Sequence, residues 1–321
     1  QFLDALDRFV KERLIPYEDR VADEDVIPPM LVDEIRMMGL FGMSIPEDFG
    51  GLGLSMIEEV QAAFVLGQAS PAFRSLVGTN NGIGSQGIII DGTDEQKAQY
   101  LPALASGDMI ASFALTEPDA GSDAGSLRTT ARRDGNDFLL NGTKRYITNA
   151  PRADLFTVFA RTNPEAEGSA GVSAFLVEAG TPGITLGQPD RKMGQKGSHT
   201  CDVILDNVRV PASNIIGGPD RLNKGFKTAM KVLDRGRLHI SAVCVGAAER
   251  LIRDSLSYAM ERKQFGEPIA EKQLIQAMLA DSRAEAFAAR CMIEETARRK
   301  DAGQNVSIND ACCKMFASEM V

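Results

Sequence analysis

The residues most capable of chemistry form one short stretch, Leu115-Thr116-Glu117-Pro118-Asp119-Ala120-Gly121-Ser122-Asp123. Pro118 fixes its own φ and removes a donor, and Gly121 tolerates close approach by a ligand. Thr116, Ser122, Asp123 and the neighbouring backbone N–H groups can hydrogen-bond a phosphate or a flat polar ring. The same composition also describes an ordinary turn, so the surrounding chain has to decide. Other chemistries are poorly supplied. Two histidines, His199 and His239, cannot make a multi-histidine metal centre. Five scattered cysteines without CxxC spacing suggest a reducing compartment and no zinc site. No GxSxG occurs, and His239, between Leu238 and Ile240, reads as a structural histidine. Gly82-Ile83-Gly84-Ser85-Gln86-Gly87 matches GxGxxG, but no strand precedes it, so it reads as a helix contact.

The elements that must position the loop change texture along the chain. With 321 residues, two or three domains are expected. Up to about Gly107 the pattern is helical: Phe2, Leu6, Phe9 and Val10 recur at helical spacing, as do Leu31, Ile35 and Met38, and Ser55 to Glu58 is a capping box. From about Met109 to Pro219 the chain has β character. Arg128–Arg133, a turn, and Phe138–Leu140 form a hairpin, and Asn141-Gly142 reads as a second turn before Lys144–Thr148. Leu155–Ala160, Val172–Val177 and Cys201–Val210 are further strands, which together suggest a barrel or sandwich. Helical periodicity returns near Arg221, with stripes through Val245–Ala259 and Ile275–Ile293. Ser307–Asp310 reads as another capping box, opening a helix with Cys312, Met315 and Phe316 on its apolar side. The fold class is therefore α+β: an all-α domain over 1–108, a middle β-barrel or sandwich domain over 109–220, and a helical bundle over 221–321.

The net charge of −9 argues against a general nucleic-acid binder and an anionic membrane surface. No apolar run approaches a membrane span. The chain starts at Gln1 without Met, so an upstream targeting segment stays open.

Helical domain, β-domain opening on Leu115–Asp123, and helical bundle resemble the acyl-CoA dehydrogenase family over essentially the whole chain. Five motifs carry the resemblance in register: Phe113–Asp123; Asn141-Gly142-Thr143-Lys144-Arg145-Tyr146-Ile147-Thr148-Asn149; Lys192-Met193-Gly194-Gln195; Val208-Arg209-Val210-Pro211; and Glu261-Arg262-Lys263-Gln264-Phe265-Gly266. The resemblance implies an FAD enzyme that oxidises an acyl-CoA thioester to the trans-2-enoyl-CoA, passes hydride to flavin N5 and hands electrons to an electron-transfer flavoprotein. It implies that Phe113, Leu115, Thr116 and Ser122 line flavin or substrate, with Thr116 bonding the pyrimidine end of the ring. Tyr146, Ile147 and Thr148 would cover the other face, with Tyr146 standing where most members carry Trp. Arg262, Phe265 and Gln273 would contact FAD in a neighbouring subunit, which implies a homotetramer, or at least a dimer. Ser122, Asp234 and Arg237 would hold the acyl-CoA, Arg237 at its adenine-nucleotide part. His199 is a lesser candidate for the acyl or pantetheine arm. The implied location is the bacterial cytoplasm, or the mitochondrial matrix in a eukaryote.

One part of the family's pattern has no counterpart here. The proton-abstracting glutamate usually lies in a Tyr-Glu-Gly-Thr stretch, which residues 1–321 lack, and the isovaleryl-type position is Gly236. No catalytic residue and no metal ligand is assigned, and Glu117 and Asp119 are assigned to loop structure. The last helix carries no stop signal, so the expectation is that the bundle is incomplete and the base lies beyond Val321. Two other classes stay open: a non-catalytic flavin or acyl-CoA binder, and a flavin oxidase or monooxygenase on the same scaffold.

Overall fold

Seven helices precede the sheet: α1 (Phe2–Phe9), α2 (Glu18–Glu24), α3 (Pro29–Met37), α4 (Met56–Leu66), α5 (Pro71–Thr79), α6 (Gln86–Asp91) and α7 (Asp94–Ser106). The computed structural model describes residues 1–321. Ser55 opens α4 as expected, with the Glu58 carboxylate accepting from the Ser55 N–H at 2.8 Å. Thr93 and Gln96 build a second capping box at the start of α7. Each satisfies helix-terminal donors that would otherwise have no partner. The glycine-rich Gly82–Gly87 stretch lies in a π turn (Asn80–Gly84) and the start of α6. A Cβ on Gly84 would sit 2.7 Å from the Ala111 side chain, so this glycine serves a close helix–strand approach.

The strands are β1 (Ala111–Ala114), β2 (Thr130–Asp134), β3 (Asp137–Thr148), β4 (Leu155–Arg161), β5 (Val172–Glu178), β6 (Ile184–Leu186) and β7 (Thr200–Pro211). They form one mixed, seven-stranded sheet in the order β1-β4-β2-β3-β7-β6, with β5 antiparallel to β4. The turn read at Asn141-Gly142 does not form. β3 runs straight through it, and the register against β7 slips between Leu140 and Gly142. Gly142 has φ 150°, and a Cβ there would meet Thr129 Oγ1 at 2.5 Å. The glycine is thus explained by a crowded bulge inside one long strand.

The last elements are α8 (Gly225–Glu261), a hairpin of β8 (Lys263–Gln264) and β9 (Glu267–Pro268), α9 (Gln273–Asp301) and α10 (Ser307–Met320). The capping box read at Ser307–Asp310 is also absent. Ser307 donates through its backbone and hydroxyl to Asn305 Oδ1, while Asp310 accepts from Lys300 at 2.9 Å. Nor is Cys312 on the apolar side of α10: Asp310, Cys313 and Ala317 are buried, and Met315 is exposed. No helix is long and apolar enough to cross a membrane.

The chain divides into two units. One comprises Gln1–Asp19, Leu54–Arg74 and Asp234–Val321, and its core joins Val60, Phe64, Leu238, Val245, Ala289 and Ile293. The other comprises Arg20–Gly53 and Ser75–Leu233. Its cores lie against the sheet, one around Phe138, Phe156, Phe175 and Val203, the other around Leu101, Ala111, Phe159 and Leu176.

Candidate functional site

Two segments named from sequence are brought together in the sheet unit. Asn80 ties the helices to β1, donating to Leu104 O and accepting from the Ala111 N–H at 2.8 Å. β1 then releases the chain into the Thr116 loop. Glu117 and Ala120 exchange two backbone hydrogen bonds, of 2.9 and 3.2 Å, closing a tight turn over Pro118 and Asp119. β3 arrives beside it: the Arg145 N–H donates to Thr116 O at 2.8 Å, and Ser112 Oγ donates to Thr148 O at 2.7 Å.

A buried ion pair fixes this seam. Lys144 Nζ lies 2.7 Å from Glu117 Oε1 and also donates to Leu115 O at 3.2 Å. The Glu117 carboxylate further accepts the N–H groups of Arg128 at 2.5 Å and Thr129 at 2.9 Å. Burial pushes Lys144 down to about 8, with Glu117 pulling the other way. Burial alone would raise Glu117, but the Lys144 ammonium and the donated hydrogen bonds more than offset it, so its carboxyl titrates below the usual range. Glu117 is therefore structural, as read from sequence, and Asp119 is an exposed partner of Arg128.

The bulge next to Lys144 displays Tyr146. Between the pairs Lys144–Val203 and Ile147–Cys201, β3 advances three residues against two on β7. Tyr146 takes the extra position with φ 58°, a left-handed conformation a tyrosine rarely adopts. Its ring is turned out of the sheet and is 58% exposed. The guanidinium of Arg145 lies 4.8 Å from the ring centroid and is held by Asp202 at 3.0 Å. Strain of this kind persists where the surroundings over-determine it, commonly at ligand sites.

A flat, partly apolar ring system fits what this surface offers. The exposed tyrosine face supplies a stacking plane, and the half-buried hydroxyls of Thr116 and Thr148 take no partner within the chain. Phe113 is half-buried against Phe159, with ring centroids 4.8 Å apart. Leu115 and Ile147 differ: both side chains are buried in cores, which leaves only their backbone for a ligand. Ser122 lies on the exposed part of the loop.

The remaining named residues lie in the helical unit. Asp234 and Arg237 pair with each other across one turn of α8. Arg262, Phe265 and Gln273 gather in the connection from α8 to α9. Arg262 O accepts from the Ile269 N–H at 2.8 Å, Phe265 sits at the hairpin tip with φ 54° and 95% exposure, and Gln273 opens α9. Two carboxylates are shifted up, Glu59 and Asp310, both first by burial. Each is already held, Glu59 by Arg235 and Asp310 by Lys300. His199 is 3.5 Å from Asp25, which also accepts the Gly197 N–H. Sequence reasoning missed Arg145 and Asp202 as supports of Tyr146, and the Lys144–Glu117 pair. Lys144 stands between Thr143 and Arg145, so no local pattern marks it as buried.

Comparison with known proteins follows the same order along the chain. The N-terminal domain model of the acyl-CoA dehydrogenases matches residues 1–108, the middle domain 112–208 and the C-terminal domain 223–321. An acyl-CoA dehydrogenase of Bacillus subtilis is 39% identical over 97% of this chain and 81% of its own length. An acryloyl-CoA reductase (NADH) of Anaerotignum propionicum is 41% identical over 97% of this chain and 78% of its own. A glutaryl-CoA dehydrogenase of Mycobacterium smegmatis, solved with FADH2, superposes with a TM-score of 0.92 at 32% identity, covering 99% of this chain and 80% of that one.

Proposed function

Because the chain belongs to the acyl-CoA dehydrogenase family, FAD-dependent enzymes of acyl-CoA oxidoreduction, we propose that it dehydrogenates an acyl-CoA thioester at its α,β-bond. The product is the trans-2-enoyl-CoA, and the electrons pass to an electron-transfer flavoprotein. The observation that carries this reading is the joint between Thr116 and the Tyr146 bulge. It places a hydroxyl-bearing loop and an exposed aromatic face on one rigid seam of the sheet.

In this reading Thr116 and Thr148 donate to or accept from the edge of the ring, and Tyr146 covers one face and excludes water from it. Bound there, FAD supplies the hydride acceptor. Arg262, whose guanidinium is a planar fork suited to a pyrophosphate, would reach FAD of a second subunit together with Phe265 and Gln273. Arg237, oriented by Asp234, would take the adenine-nucleotide part of CoA, and Ser122 would contact flavin or substrate. The exposed Leu274, Met278 and Phe287 of α9 support burial against further copies, and hence a homotetramer. The division at 108/109 and 220/221 separates these roles. The compartment is the bacterial cytoplasm or, in a eukaryote, the mitochondrial matrix.

Adding a series of acyl-CoA esters to the holoprotein should bleach the flavin absorbance. No bleaching with any chain length or branching would remove the dehydrogenase reading. The similarity to an acryloyl-CoA reductase favours a second reading, the reverse direction. Reoxidation of the chemically reduced protein by an enoyl-CoA, without bleaching by the saturated ester, would select it.

A further inference from the structure

The bulge that displays Tyr146 places an ion pair behind its ring. Two residues of β3, Arg145 and Tyr146, face one residue of β7, Asp202, between the pairs Lys144–Val203 and Ile147–Cys201. Arg145 is fixed at both ends. Its backbone N–H donates to Thr116 O at 2.8 Å, and its Nη1 donates to Asp202 Oδ2 at 3.0 Å. The guanidinium lies over the Tyr146 ring, 4.8 Å from the centroid. Arginine and a carboxylate commonly meet through two parallel hydrogen bonds. Here one forms, and Asp202 Oδ1 is buried without a partner. The guanidinium covers the ring instead of closing that fork, although a bare buried oxygen is costly. Asp190, the other carboxylate acting on Arg145, accepts from Thr200 Oγ1 at 2.8 Å.

A cation on one face of the ring leaves a flat ligand only the other face. In the function proposed above that ligand is the flavin of FAD, and the proposal below rests on that placement. FAD gains negative charge with the electrons it accepts. A guanidinium behind the intervening aromatic ring favours the charged state, and a carboxylate beside that guanidinium opposes it. The cation–π contact also favours one orientation of a ring that would otherwise swing freely in solvent. We propose that Arg145 and Asp202 are opposed charges behind Tyr146 that hold its ring against the flavin and set how readily the flavin accepts electrons, Arg145 raising that readiness and Asp202 limiting it. Both are positioning residues, since each acts through the tyrosine ring.

Reductive titration of the holoprotein against a dye of known potential tests this and needs no acyl-CoA. Arg145→Met should make bound FAD about tenfold harder to reduce, the scale of one unit charge in a half-exposed site, or about 30 mV for two electrons. Asp202→Asn should make it easier by a similar factor. The double variant should return to within about threefold of wild type, because the two charges leave together. Arg145→Lys keeps the charge and should stay close to wild type. Both single substitutions loosen the support of Tyr146, so a merely structural role would move them in the same direction. Shifts of one sign, or no shift in either, overturn the proposal. Should Arg145→Met fail to hold FAD, Asp202→Asn decides: a flavin no easier to reduce than in wild type overturns it. Bound-flavin fluorescence should rise in Arg145→Met and Asp202→Asn as the ring is released, and unaltered fluorescence in both would contradict the positioning role. Bleaching by acyl-CoA esters is read in parallel. Opposed shifts without bleaching by any thioester would remove the dehydrogenase reading and leave this pair standing. Bleaching without opposed shifts would remove this proposal alone.

Discussion

Lys144 and Glu117 meet 2.7 Å apart, with essentially no solvent exposure, where β3 passes the loop that follows β1. The pair is satisfied on both sides, since the carboxylate also accepts two backbone N–H groups and the ammonium donates to Leu115 O. It fastens Thr116 to the strand that presents Tyr146.

Breaking that pair on one side should be worse than removing it. Glu117→Gln or Lys144→Met leaves an uncompensated buried charge, with an expected loss of about 3–5 kcal/mol. A Lys144→Met/Glu117→Leu double variant should recover part of that loss. Urea unfolding of the three proteins, with FAD retention measured alongside, checks both statements. A double variant no better than the worse single would contradict the account.

The same pair sets a pH dependence at the acid end. Glu117 titrates below its unfolded value of 4.5, so its contribution is fully present above about pH 4.5 and is lost as pH falls through the lower folded value. Lys144 has the opposite sense. Burial lowers it from 10.5 to about 8, so between those values the unfolded chain holds the proton better and this group's contribution rises with pH. Melting temperatures from pH 3 to 6 should show a steeper acid fall in wild type than in Glu117→Gln.

Tyr146 sits at φ 58° with its ring outside the sheet. Tyr146→Val should destabilise by about 1–3 kcal/mol, because a β-branched residue is strained at positive φ. Tyr146→Trp keeps an aromatic plane and should leave stability within about 1 kcal/mol, since the site is solvent-facing. It should quench bound-flavin fluorescence more strongly than tyrosine does. Equal fluorescence in the two holoproteins would argue against a ring-to-flavin contact.

Arg262 lies in the exposed connection after α8, and the contacts found for it are through its backbone. Arg262→Met should therefore leave the melting temperature of the apoprotein nearly unchanged. It should weaken FAD binding by about ten- to a hundredfold, the scale of a lost charge-assisted pair. Fluorescence titration of apoprotein with FAD measures it. Unaltered affinity would place the pyrophosphate elsewhere.

Periodicity and turn chemistry made the helix–sheet–helix order legible, because burying one face of each element imposes a period of 3.6 or 2 on the chain itself. The five motifs in register carried the family for the same linear reason. Local pattern misled where a distant partner decided the outcome. Asn141-Gly142 looks like a turn, but β7 pairs along both sides of it and absorbs the glycine as a bulge. Ser307–Asp310 looks like a cap, but Lys300 takes the aspartate. The positive φ of Tyr146, the inward side chains of Leu115 and Ile147, and the Lys144–Glu117 seam all depend on register across the sheet, which spacing along the chain does not encode. Arg145 and Asp202 stand 57 residues apart; only the pairing of β3 with β7 sets the guanidinium over the Tyr146 ring and leaves one carboxylate oxygen without a partner.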